Sequence, residues 1–146
     1  MLDAMDQRID IITLRVEDLD AATSFYTNGL GWTAMLTVPG EVTFLQSAHG
    51  QAVSLFDAAG YDADTGAPIP VPLVLAQIVA GEAEVDRVVA ELVDAGATLV
   101  KAPEHADWGG YHGFVRDPAG YYWEIADNPG WRVTGDGTPS IGPVDA

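Results

Sequence analysis

In the first half of the chain, the pattern of apolar and polar residues predicts a series of strands and one helix. Residues 8–16 are rich in β-branched side chains that alternate between two faces, which predicts a strand. Asp18 is the expected N-cap of a helix with apolar residues at helical spacing, and Asn28-Gly29 ends it. Three short strands follow, over residues 32–37, 41–46 and 51–56. The pattern therefore predicts strand, helix and three further strands.

The second half repeats this order. A continuous apolar run over residues 72–79 predicts a buried strand, and residues 82–95 have the stripe of an amphipathic helix that Gly96 caps. Three strands follow, over residues 98–101, 111–116 and 121–126. The sequence thus predicts an α+β fold of two βαβββ modules in tandem. Paired about a pseudo-twofold axis, their sheets would curl around a shared cleft.

The repeat is also visible residue by residue. When Gly50 is placed over Gly120, Phe44 lies over Phe114. The same alignment places a serine of the first module, Ser54, over a carboxylate of the second, Glu124. Equivalent positions in the two modules therefore carry different chemistry.

Composition marks the boundaries of the modules. Residues 58–71 are rich in Gly, Pro and Asp and predict a linker between a first module, 1–57, and a second, 72–128. Residues 129–146 form a Gly/Pro-rich C-terminal extension, whose first part is expected to wrap around the domain. The whole chain is expected to form one domain.

Composition also excludes several classes of function. The 146 residues include no cysteine, which excludes disulfides and thiolate metal sites. A formal charge of −16 argues against a nucleic-acid partner. No apolar run reaches membrane-spanning length and the start lacks signal-peptide features, so we expect a cytoplasmic protein with no membrane partner. The acidity indicates either a solvated surface or a cleft for a cationic ligand.

The stretch DPAGYYWEI, residues 117–125, predicts a tight hairpin turn and a strand with one carboxylate, Glu124. Pro118 and Gly120 suit a three-residue loop in which Gly120 adopts a positive φ. Cross-strand partners share a face. The cleft side of this hairpin is therefore expected to carry His112, Phe114, Arg116, Tyr122 and Glu124.

Two segments resemble a known superfamily. ITLRVEDLDAATSFYTNGLGW, residues 12–32, and GFVRDPAGYYWEIADNPGW, residues 113–131, are similar to the vicinal oxygen chelate superfamily of glyoxalases, extradiol dioxygenases and bleomycin-resistance proteins. The resemblance covers residues 8–131 and indicates a glyoxalase-like domain. It implies the βαβββ fold and a homodimer, because relatives dimerise and often build the cleft across the interface. It leaves the activity open, since this fold hosts many chemistries.

The resemblance also implies where a metal would bind. Members that hold a metal place ligands on the first and last strands of each module, and the four matching positions here are Ile11, Ser54, Val74 and Glu124. Only Glu124 has a metal-binding side chain, and Gln77 would need a register shift to serve. We therefore expect no metal cofactor, with a divalent metal as the less favoured alternative.

Ten residues are predicted to line the ligand site: Arg15, Phe44, Ser54, Phe56, Trp108, His112, Phe114, Arg116, Tyr122 and Glu124. The aromatic members would stack on a planar ligand. Trp108 lies in a loop, residues 101–111, that could close over the mouth as a lid. His112 and Glu124 are candidates for an acid–base pair. Alternatively, Glu124 is a structural anion paired with Arg116, Arg15 or His112.

The leading hypothesis is metal-independent binding of a small planar or cationic organic molecule, as in the bleomycin-resistance-type relatives. One alternative is a metal-dependent lyase or dioxygenase of the glyoxalase type. Another is a metal-free lyase or isomerase that uses Glu124 and His112. The sequence leaves open whether any reaction is catalysed.

Overall fold

The computed structural model describes residues 5, 7, 9–66, 73–107 and 109–140. The first four-stranded sheet contains β1 (Ile11–Val16), β2 (Ala34–Val38), β3 (Val42–Gln46) and β4 (Ala52–Asp57), with α1 (Leu19–Ser24) after β1. Its strand order is β1-β4-β3-β2, and β1 runs parallel to β4. Two later helices are α2 (Ala58–Thr65) and α3 (Glu82–Asp94).

The second sheet repeats the first. It contains β5 (Val74–Ile78), β6 (Thr98–His105), β7 (Tyr111–Arg116) and β8 (Tyr122–Asp127), in the order β5-β8-β7-β6. β5 runs parallel to β8, as β1 does to β4. The predicted α+β fold of two tandem βαβββ modules is confirmed. Among the described residues, no helix combines the length and apolar character needed to cross a membrane.

The first helix begins where the sequence predicts. The Asp18 carboxylate accepts a hydrogen bond from the backbone N of Ala21 at 2.9 Å, which caps α1. After Ser24 the chain continues as a π-helical turn, Phe25–Gly29, rather than as α-helix. Gly29 lies so close to α3 that a Cβ there would be 3.1 Å from the Cβ of Ala95. The two modules therefore meet along the ends of their helices.

The segment predicted to be a linker contains α2, which the sequence analysis missed. Asp57 caps this helix by accepting a hydrogen bond from the backbone N of Ala59 at 3.2 Å, and Gly66 ends it with φ 92°. Gly60 and the Asp-rich composition disfavour a helix locally, so its formation depends on contacts with the sheet. Residues 67–71 of the predicted linker lie outside the described residues.

The predicted lid loop is mostly strand. β6 continues to His105, well beyond the predicted end at residue 101, because Glu104 and His105 pair with His112 and Tyr111 across a hairpin with two irregularities. The connection is short, with Ala106 N donating to Gly110 O at 2.8 Å. The connection between β6 and β7 is therefore shorter than the predicted loop over residues 101–111. Trp108 lies outside the described residues.

Two core clusters join the modules. Leu75 of the second module packs with Leu14 and Leu55 of the first, and Phe25 of the first packs with Val85 of the second. Each cluster therefore contains residues from both halves. The two modules therefore share their hydrophobic core.

A hydrogen-bonded junction reinforces this core. The Tyr26 hydroxyl donates to the carboxylate of Asp117 at 2.5 Å and accepts from Nε1 of Trp123 at 3.0 Å. The Tyr121 hydroxyl donates to the carbonyl of Arg15 at 2.7 Å. The hairpin turn of the second module is thus fixed to the first module by polar contacts.

The C-terminal extension folds back toward the first module. β9 (Arg132–Val133) pairs with β10 (Pro139–Ser140) as a short antiparallel hairpin. Its connecting loop places the Thr138 hydroxyl 3.2 Å from the ring nitrogens of His49, in the β3–β4 turn. This contact attaches the extension to the surface of the first module.

Candidate functional site

The β7–β8 hairpin has the register that its turn chemistry predicts. Asp117 N donates to Tyr121 O at 2.8 Å, and Gly120 has φ 100°. Arg116 pairs with Tyr122, and Phe114 pairs with Glu124. The side chains of these pairs therefore share the sheet face opposite the helices, which we call the open face of the second sheet.

The carboxylate on this open face is held by a histidine. Nδ1 of His112 lies 2.7 Å from Oε2 of Glu124. His112 is buried, with 7% of its surface exposed, and its ring packs edge-on against Phe114 with centroids 5.3 Å apart. Glu124 is half-buried. Of the three partners considered from the sequence, His112 is the one that contacts Glu124.

The strands of the first sheet pair in the same register, but the open face of this sheet carries different side chains. Phe44 pairs with Ser54 as Phe114 pairs with Glu124, and Ser54 is buried. Arg15 lies on the same face, since it pairs with Phe56. The predicted residues Arg15, Phe44, Ser54 and Phe56 are thus brought together on one sheet, apart from the His112–Glu124 pair.

Arg15 is already paired within the first module. Its Nε and Nη2 donate to the two carboxylate oxygens of Asp62 at 2.8 and 2.9 Å, and Nη1 donates to Glu17 at 2.6 Å. The hydrogen bond from Arg15 lowers the pKa of the Asp62 carboxyl, and the Asp62 and Glu17 carboxylates raise the pKa of Arg15. Arg15 therefore connects β1 to helix α2 through its hydrogen bonds to Asp62.

Helix α2 covers part of the first open face. The ring of Tyr61 packs edge-on against Phe56, with centroids 6.4 Å apart. Gly60 lies over the same ring, so that a Cβ at this position would be 2.4 Å from Cε1 of Phe56. Sequence reasoning missed Asp62 and Tyr61 as site residues because it placed them in a linker. The available signals were the Asp57 cap and the Gly66 terminus.

The four positions that the superfamily resemblance assigns to metal ligands do not fit a metal here. Ile11 pairs with Ala52 and Val74 pairs with Tyr122, which places both apolar side chains on the open faces, 51% and 54% exposed. Gln77 pairs with Ile125 on the helix side and cannot serve. Within the described ranges, no group of three His, Asp or Glu side chains could hold a metal ion.

Comparisons with known proteins agree with this architecture. The sequence matches the family model of the Glyoxalase/Bleomycin resistance protein/Dioxygenase superfamily over residues 8–125. The chain belongs to this superfamily. It has no match among the curated proteins.

Solved structures of the superfamily superpose on this chain. A glyoxalase-related enzyme from Fulvimarina pelagi is 33% identical, with 92% of this chain and 98% of that chain covered and a TM-score of 0.82. A lactoylglutathione lyase from Agrobacterium tumefaciens is 28% identical, with 83% and 93% covered and a TM-score of 0.66. A superfamily protein from Nocardioides, at 22% identity, covers 97% and 93% with a TM-score of 0.73 and supports the fold alone.

Proposed function

We propose that this superfamily member binds a small planar or cationic organic molecule against the open face of its second sheet, without a metal ion. The observation that carries the proposal is the Glu124 carboxylate, held by His112 at 2.7 Å beside the ring of Phe114. This combination provides a fixed anion next to an aromatic surface. Both features favour a flat or positively charged ligand.

The surroundings of Glu124 support an organic ligand rather than a bare ion. Tyr122 lies on the same face, 40% exposed, and Val74 pairs with it across the sheet. Ala76 pairs with Glu124 itself. An anion bordered by apolar and aromatic groups attracts a cation that also has apolar surface, because both parts of such a ligand are satisfied.

A thermal-shift screen over planar, cationic and neutral compounds tests the proposal. A ligand at 100 times its dissociation constant adds about 2.7 kcal/mol to the free energy of unfolding. We expect Phe114→Ala to weaken the best compounds about tenfold, through loss of an aromatic contact worth about 1 kcal/mol or more. Phe44→Ala, at the equivalent position of the first sheet, is the matched control and is expected to leave binding unchanged.

A charge test separates cation binding from simple stacking. Glu124→Gln should weaken cationic compounds more than their neutral isosteres, because only the cations lose a charge partner. Glu104→Gln is the control, since Glu104 pairs with His112 across the same sheet and forms an exposed ion pair with Lys101 at 2.9 Å. Equal effects of the two substitutions would contradict the proposed site. A stoichiometric transition metal that is lost in Glu124→Ala would overturn metal independence.

The proposal includes a homodimer whose second copy covers the open faces. Large apolar side chains stand uncovered there, including Leu36, which is 55% exposed, together with Ile11 and Val74. Such surfaces mark sites of association. Light scattering should give twice the chain mass of 15.4 kDa, and Val74→Glu should shift the protein toward monomer. A monomer at all concentrations would remove this part of the proposal.

A second candidate function is metal-free proton transfer by His112 and Glu124. The observation that favours it is their 2.7 Å hydrogen bond, in which the carboxylate can orient the imidazole. Deuterium exchange at carbons next to carbonyl groups, followed by NMR for each stabilising compound, tests it. Both His112→Ala and Glu124→Gln should slow exchange about 100-fold or more. Exchange that survives either change excludes that residue from a catalytic role.

A further inference from the structure

A hollow lies between the modules, on the side of the sheets opposite the open faces. Its volume is 190 Å³. Leu30 and Trp32 of the first module form one wall, and β8 contributes Trp123 and Ile125 to another. Because successive strand residues face opposite sides, these two β8 residues point away from the face that carries Glu124. The hollow is therefore separate from the proposed open-face site.

The apolar walls suit a flat ring. Trp32 and Trp123 pack edge-to-face, with centroids 6.0 Å apart, and both indoles are half-buried. Leu92 and Val88 of α3 line the hollow beside them. An apolar protein cavity of about 150 Å³ is large enough to bind benzene. A hollow of 190 Å³ therefore has room for one or two fused rings.

One polar group in the hollow is available for hydrogen bonding. Gln77 shares the helix-side face with Ile125, and its primary amide makes no hydrogen bond within the described part of the chain. A primary amide offers a donor and an acceptor side by side. It pairs with a ligand that presents the complementary acceptor and donor, as a cyclic lactam does.

The charges at the rim disfavour an anionic ligand. Arg87 donates to Glu84 at 2.8 and 3.0 Å and to Glu91 at 2.5 Å, so its charge is compensated by two carboxylates. The formal charge of the chain is −16, which disfavours anions further.

We infer that this helix-side hollow is a second binding site, specific for a neutral mono- or bicyclic heteroaromatic lactam. The ring lies against Trp32 and Trp123, and the lactam N–H and C=O pair with the amide of Gln77. The site uses side chains from both modules. Its occupation therefore adds contacts across the module junction.

Titration of the intact protein with 2-quinolinone, by calorimetry and tryptophan fluorescence, tests the inference. N-methyl-2-quinolinone is the matched probe, since it lacks the N–H donor. We expect saturable binding of 2-quinolinone, about tenfold weaker binding of the N-methyl compound, and loss of this difference in Gln77→Leu. Gln77 is exposed, so this substitution leaves the core intact.

Two further variants locate the probe. Val88→Phe, which fills the hollow, should abolish binding, whereas Phe114→Ala on the open face should not affect it. A loss of binding in Phe114→Ala would place the probe on the open face and overturn the inference. The same holds if no saturable binding occurs, or if Gln77→Leu still discriminates between the two probes. None of these outcomes depends on whether the open face binds its own ligand.

Discussion

In the first module, helix α2 lies over the open sheet face and its Asp62 holds Arg15 through two hydrogen bonds. In the second module, the equivalent face carries the hydrogen-bonded pair of His112 and Glu124. Both sheets have the same strand order, and Ser54 occupies the register position of Glu124. One duplicated backbone thus supports one face that helix α2 partly covers and one face that carries the His112–Glu124 pair. The difference lies in a few side chains and in the segment that follows the last strand.

The hairpin turns of the two modules also differ in the hydrogen bonds that their first residues make. Asp117, in the second turn, is 3% exposed and accepts hydrogen bonds from the Tyr26 hydroxyl and from Tyr121 N at 2.8 Å. Ser47, at the equivalent position, is half-buried, and no hydrogen bond of its side chain to another described residue is found. A carboxylate at the second turn therefore connects the two modules.

Replacement of these two turn residues should give the largest contrast. Asp117→Ala leaves the buried Tyr26 hydroxyl without its acceptor, so we expect a loss of about 2–4 kcal/mol in the free energy of unfolding. Ser47→Ala, the matched control, should change it by about 0.5 kcal/mol or less. Urea denaturation measures both. Similar losses would show that the two turns contribute equally.

The pH dependence of stability gives a second contrast. Burial raises the pKa of the Asp117 carboxyl above its ordinary value of 3.8, against hydrogen bonds that lower it. The folded state then binds the proton more tightly than the unfolded state. The resulting stability is fully present below the unfolded pKa and is lost as pH rises through the folded pKa.

This contribution is isolated by comparison with Asp117→Asn, which cannot titrate at this position. Wild-type stability minus variant stability should decrease as the pH rises from 4 through the raised pKa, measured by urea denaturation at a series of pH values. The acidic surface titrates in both proteins and cancels in the difference. A difference that increases with pH would mean that the folded carboxyl has a lowered pKa.

A smaller effect is expected from the helix that covers the first open face. Asp62→Ala removes the partner of Arg15, and amide exchange over Ala58–Thr65 should become about tenfold faster. Exchange in β8 should not change, which provides an internal control. If α2 retains its protection, the packing of Tyr61 on Phe56 is sufficient to hold it.

The smallest effect is expected at Arg116. Arg116 is one of the three partners that the sequence offers for Glu124, yet it is exposed and pairs with Tyr122 and Thr98 across the strands. Arg116→Ala should change the free energy of unfolding by about 0.5 kcal/mol or less and leave ligand affinity unchanged. A loss of affinity specific to anionic compounds would instead assign Arg116 to the site.

Local chemistry accounts for what could be predicted of the fold. Alternation of apolar residues, the Asp18 cap and the Asp117–Gly120 turn each act over a few residues, so the sequence predicted the modules and the hairpin register. Helix α2 was missed because part of its stability comes from Arg15, which lies 47 residues from its partner Asp62 in the chain. The length of β6 was missed because pairing with β7, and not composition, sets its end.

The sequence by itself determined the superfamily, the tandem modules and the side chains that share each sheet face, because period and turn geometry depend on neighbouring residues. Only the tertiary structure decided which partner each charged residue takes. Glu124 contacts His112, and Arg15 contacts Asp62. Gln77 lies on the helix side of the second sheet and not among the positions that the resemblance assigns to metal ligands. Arg15 and Asp62 are 47 residues apart, and many pairings of opposite charge are compatible with the same pattern of apolar residues.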